Sequence, residues 1–163
     1  MKRALALRLL LLAALLAAYC FIFGNSATVA KDSIAKSDKV IEVVEPVVKP
    51  VIEKVTKKPV TYEIMNFFVR KTAHFIEFCV LGALWAGLAL ALPKPTWERA
   101  FLPLFSSLAS AVTDEFIQSF LDRTSSLKDV VLDFTGAFLG MTAVFCAFLL
   151  IRALVRRKKR REA

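Results

Sequence analysis

The chain has 163 residues, 57% of them apolar, with 23 Lys+Arg against 14 Asp+Glu and a mean hydropathy of +0.58. Length allows one domain. The apolar share stands above the roughly 45–50% of soluble globular chains, which argues against a disordered protein and an ordinary soluble enzyme. The +9 charge does not point to nucleic acid. Arg152, Arg156, Arg157, Lys158, Lys159, Arg160 and Arg161 crowd together directly after an apolar run, where they read as a membrane flank. Cys20, Cys79 and Cys146 lie far apart inside apolar stretches and make neither a disulfide framework nor a ligand spacing.

Four stretches meet the requirement of about 20 mostly apolar residues for a membrane span. The first runs from Ala4 to Gly24, broken only by Arg8. The second runs from about Thr72 to Leu92, the third from about Ala100 to Leu121, and the fourth from Val130 to Ile151. Pro93 and Pro95 close the second, since proline cannot continue a helix interior. All four are expected to be helices, because lipid leaves unpaired backbone groups without partners. The fold class is therefore all-α, an integral membrane bundle of about four helices. For the first stretch a retained helix is expected; its alternative is a cleaved signal peptide, with Met1-Lys2-Arg3 as the basic start and Thr28-Val29-Ala30 as a weak cleavage site.

Lys2, Arg3 and Arg8 at one end, and the basic tail at the other, place both termini in the cytoplasm, which four spans satisfy. The expected divisions are a first transmembrane helix at 1–24, an extracytoplasmic segment at 25–69, a three-helix membrane domain at 70–151 and a basic cytoplasmic tail at 152–163. Between Val40 and Val55 the outer segment repeats Val/Ile pairs every fourth residue with charges between. This pattern reads either as an amphipathic helix kinked by Pro46 and Pro50 or as an extended spacer.

Ionisable residues within spans are costly, about 2.5–3.5 kcal/mol at a helix centre on insertion scales, and here they converge. Arg70, His74 and Glu77 share one helical face at the start of span two. Asp114 and Gln118 continue a face begun by Ser107 and Ser110, and Glu115 lies beside them at the end of span three. Asp129 and Asp133 open span four, with Gly136 and Gly140 on the same line. With the expected topology all three groups lie on the outer side. Glu77 and Glu115 lie about 9 Å deep and Asp133 about 6 Å beyond Asp129, with Arg123 on the connecting loop. The acids Glu77, Asp114, Glu115, Asp129 and Asp133 outnumber Arg70, Lys71 and Arg123 by two, so some carboxylate must be protonated, hydrated or bound to a cation. The structural alternative is an ion-pair network that merely holds the helices together. For Gly136 and Gly140 the expectation is close helix packing.

Taken together, Arg70-Lys71-x-Ala73-His74-Phe75-x-Glu77-x-x-x-Leu81-Gly82, Asp114-Glu115-x-x-Gln118-x-Phe120, Arg123, and Asp129-Val130-x-x-Asp133-x-x-Gly136-x-x-x-Gly140 resemble the VanZ-like family of bacterial membrane proteins. The resemblance covers about residues 66–148. Phe78 stands where many members carry tyrosine, Leu121-Asp122 where a Pro-Gly turn is common, and Asp133 where Asn also occurs. The resemblance implies a multi-pass protein of the bacterial cytoplasmic membrane, in a family whose namesake is associated with low-level resistance to the glycopeptide teicoplanin; it implies no reaction.

The leading expectation is a non-enzymatic envelope protein whose outer pocket binds an amphiphile: a lipid head group, a lipid-linked cell-wall precursor or a lipoglycopeptide. Arg70 and Arg123 suit phosphate or carboxylate oxygens, and His74 and Gln118 would hydrogen-bond beside them. The alternative is a membrane-embedded hydrolase or transferase acting on lipid phosphate or ester. His74 with Glu77 or Glu115 would then be its acid/base pair, and Asp114, Glu115, Asp129 and Asp133 its oxygen donors to Mg²⁺. A transporter ranks last, because the inner halves of the spans are almost wholly apolar. The expected partner is the lipid bilayer, with no nucleic acid. No cofactor or metal is assigned, since these carboxylate spacings also occur in ion-pair networks.

Overall fold

The structure, a computed structural model, describes residues 2–28, 30–57, 59–93, 96–121 and 125–162. Among the described residues there are five helices and no strand: α1 (Lys2–Ser26), α2 (Ala30–Thr56), α3 (Tyr62–Ala91), α4 (Thr96–Ser119) and α5 (Leu127–Arg161). All but α2 are long and apolar enough to cross a membrane. The second and fourth apolar stretches continue as helix well beyond their apolar limits. Thr61 begins α3 early by accepting the Ile64 N–H, while α5 continues through the basic residues to Arg161.

The spans run alternately along the bundle. Arg8, near the start of α1, donates from Nε to the carbonyl of Ala91 at the end of α3, 2.9 Å away. The one charge inside the first apolar run thus satisfies a carbonyl that a helix end leaves without an internal partner. At the opposite end Ser26, the last residue of α1, reaches Asp114 near the end of α4. That end also holds the starts of α3 and α5, and is called the site end below.

Helices α3 and α5 run parallel and make the closest crossing. A Cβ on Gly136 would collide with the carbonyl of Phe75, one on Gly140 with that of Cys79, and one on Gly82 with that of Ala137. Backbone meets backbone at these points, so only glycine fits, as in small-residue crossings of membrane helices. Helix α1 covers the pair. Its Leu15 and Ile22 are buried with Phe78, Leu81, Leu88, Ala111 and Ala137 in one core. Tyr19 ties three helices deeper in the bundle: its hydroxyl accepts from Trp85 Nε1 at 2.9 Å and bonds the Ser110 hydroxyl at 2.9 Å.

Of the two expectations for the Val/Ile repeat, the structure has the helix. Pro46 and Pro50 both lie inside α2, each removing one backbone donor, and the helix continues through them. Ile41 is buried with Val60 and Met65, flanked by Val48, Ile52 and Val69, so one face of α2 rests on the start of α3 and the residues before it. Glu53 fixes this linker by accepting the Val60 N–H at 3.0 Å, and Tyr62 donates to Asp38. Val43, Val47, Val51 and Val55 form an exposed stripe on another face.

Candidate functional site

Five helices bring polar side chains to the site end, in three arrangements. The innermost centres on Asp114, which is fully buried. The Ser26 hydroxyl donates to its Oδ1, and Gln118 Nε2, one turn further along α4, donates to its Oδ2 at 2.7 Å. His74 Nδ1 of α3 stands 3.6 Å from the same Oδ2. Asp133 of α5 is 1% exposed, and its carboxylate lies within 4.8 Å of both His74 and Asp114. Three helices, α3, α4 and α5, thus contribute one ionisable side chain each to a single buried point. The Gly136–Phe75 contact, one turn from Asp133 on α5 and next to His74 on α3, is what lets the two helices come so close.

The second arrangement is a cleft of about 450 Å³ between α1, α2 and α3. Its walls include Phe21, Val40 and Val69, and its polar groups are Arg70, His74 and Glu77 with Asn25, Thr28 and Ser37. The face shared by Arg70, His74 and Glu77 therefore opens on this cleft. Asn25 Nδ2 donates to Glu77 Oε1 at 3.2 Å, holding the carboxylate toward α1. His74 belongs to both arrangements and joins the cleft to the buried carboxylates.

The remaining acids anchor structure. Glu115 is 5% exposed, and its Oε2 accepts the N–H of Ser126 at 3.0 Å. Ser126 in turn caps α5 by accepting from the Asp129 N–H. Glu115 therefore fixes the entry to α5, a use that suits a buried carboxylate because backbone donors compensate its lost hydration. Asp129 pairs with Lys71, tying the starts of α3 and α5. Beside that pair, Arg70, Lys71, Lys128 and Asp129 with Phe67 and Ser126 surround a second, more polar cavity of about 340 Å³. Arg70 lines both cavities. Arg123 lies outside the described residues.

Sequence reasoning does not single out four members of the site: Asn25, Ser26, Thr28 and Ser37. The first two end the first apolar run, and their polarity there was the available signal. Ser37 had none, since its position in the cleft depends on how α2 folds back over α3.

Residues 11–152 match the family model described as VanZ/LLP1. The match takes in α1 and α2 as well as the three helices that carry the sequence motifs. Comparisons with curated proteins and with solved structures gave no match.

Proposed function

The chain belongs to the VanZ/LLP1 family, and from that premise we propose that it is a protein of the bacterial cytoplasmic membrane that binds an amphiphile in the cleft between α1, α2 and α3. The ligand is a lipid head group, a lipid-linked cell-wall precursor or a lipoglycopeptide, and binding contributes to tolerance of teicoplanin. The cleft carries this reading: apolar walls suit an acyl chain, while Arg70, His74 and Glu77 converge on one side of it. Binding sites of this kind pair a mostly apolar lining with a few placed polar groups. The guanidinium of Arg70 supplies a fork for phosphate or carboxylate oxygens, and it is shared with the polar cavity beside it. The site end faces outward in this reading, because the basic residues at 152–161 form the opposite end of α5.

The test is native mass spectrometry of the purified chain with its co-purified lipids, paired with teicoplanin tolerance of cells expressing it. Arg70→Ala is expected to strip the bound amphiphile at least tenfold and to remove the tolerance while membrane abundance stays normal. Unchanged amphiphile occupancy in Arg70→Ala at normal abundance would overturn the reading.

A further inference from the structure

We propose that His74, Asp114 and Asp133 form a binding site for one divalent cation of the zinc type. The sequence assigned no metal to this chain, and the site goes beyond amphiphile binding in the cleft.

Asp133 is the starting point. It is 1% exposed, and its Oδ2 has no hydrogen-bond partner among the described residues. Nor does any Lys or Arg among them form a salt bridge with it. A buried carboxylate oxygen without a partner carries its full desolvation cost. This oxygen belongs to a side chain that stands within 4.8 Å of the ligand atoms of His74 and Asp114, where a shared cation would satisfy it.

The other two members have the distances and support that a metal site needs. His74 Nδ1 and Asp114 Oδ2 stand 3.6 Å apart. Two ligand atoms of a tetrahedral shell with bonds of about 2.1 Å are about 3.4 Å apart, so this pair is already near a shared coordination sphere. Asp114 is oriented through both oxygens, by Ser26 on Oδ1 and by Gln118 on Oδ2. Outer hydrogen bonds of that kind fix ligating carboxylates. The ligands come from three different helices, of which α3 and α5 are locked by their glycine crossing.

The donor set indicates the cation. One imidazole nitrogen with two carboxylates suits zinc or a neighbouring first-row ion. Calcium takes six to eight oxygens and is disfavoured by the imidazole. Two carboxylates neutralise the double charge, and three protein ligands leave a fourth position for water or for a ligand oxygen. His74 is shared with the cleft, so an occupied site would also set how that imidazole faces a bound amphiphile.

The chain has one histidine, which makes the test direct. The full chain, purified in detergent through a tag free of histidine and stripped with chelator, is titrated with Zn²⁺ alone. Expected results are one tightly bound Zn²⁺ per chain by elemental analysis, with a saturable shift of the single imidazole signal in the NMR spectrum. Asp133→Asn should weaken binding at least tenfold, and Glu42→Gln on the exposed face of α2 should leave it unchanged. The wild-type imidazole shift needs no variant to fold. Less than a tenth of an equivalent bound, or an imidazole signal that Zn²⁺ does not move, would leave only an ion-pair cluster and overturn the proposal. Undiminished binding in folded Asp133→Asn would do the same. No amphiphile enters this titration, so its outcome is separable from that of the lipid measurement.

Discussion

At the scale of single residues, acids of the site end take different neighbours. Asp114 receives hydrogen bonds from Ser26 and Gln118, Glu115 holds the N–H of Ser126, Asp129 meets Lys71, and Glu77 is held by Asn25. The same residue type is thereby divided between anchoring and exposure to a cleft. Removing one donor should show the difference. Ser26→Ala deprives fully buried Asp114 of a hydroxyl donor, and a buried polar group left short of a partner costs about 1–3 kcal/mol. A lower thermal midpoint in detergent is the expected outcome, with a smaller loss for Asn25→Ala, whose bond to Glu77 is longer and lines an open cleft. Equal midpoints for Ser26→Ala and the wild type would show that the α1–α4 bond contributes nothing.

At the scale of elements, the α3–α5 crossing is the part of the bundle least able to adjust. The carbonyls of Phe75, Cys79 and Ala137 are backbone atoms, so they cannot turn away as a side chain would. Gly140→Leu should separate the helices and destabilise the fold by at least the roughly 1–3 kcal/mol of an overpacked core. The expected readout is a loss of monodisperse protein on gel filtration, whereas Gly24→Leu, where nothing lies within 4 Å of an added Cβ, should behave as wild type. The GxxxG spacing of Gly136 and Gly140 is visible in the sequence, as are the four apolar runs and the convergence of ionisable residues, His74, Asp114 and Asp133 among them, on three helix ends. Their order and periodicity are local properties, and topology alone carries them to one side. Sequence does not say which acid contacts which partner, because that depends on the rotation of α4 and on the glycine crossing of α3 with α5. It also left α2 undecided. The Val/Ile repeat fits a helix, while Pro46 and Pro50 oppose one; burial of Ile41 against Val60 and Met65 tips the balance toward the helix.

At the scale of the whole molecule, charge and apolar surface bear on the proposed orientation. The long stretch of basic residues ends α5, while the site end carries buried acids and α2. An excess of Lys/Arg marks the cytoplasmic side of a membrane protein, and the same residues suit anionic lipid of that leaflet. In the proposed orientation the exposed Val43, Val47, Val51 and Val55 would lie on a helix at the outer surface, where apolar side chains can dip into the head-group boundary. In that proposed orientation the cleft, roofed by α2 through Ser37 and Val40, would be within reach of amphiphiles arriving from outside. Its test is accessibility in intact cells. With Cys20, Cys79 and Cys146 replaced by alanine, a membrane-impermeant maleimide should label Lys39→Cys before permeabilisation. It should label Arg157→Cys only afterwards. The reverse pattern would put the cleft on the cytoplasmic side and confine its ligands to inner-leaflet lipid, excluding a direct encounter with an antibiotic in the medium. A Val47→Trp variant adds the depth: its fluorescence should shift to the blue in vesicles and be quenched by brominated acyl chains. An unshifted, unquenched signal would place the valine stripe in water and leave α2 as a cover for the cleft without membrane contact.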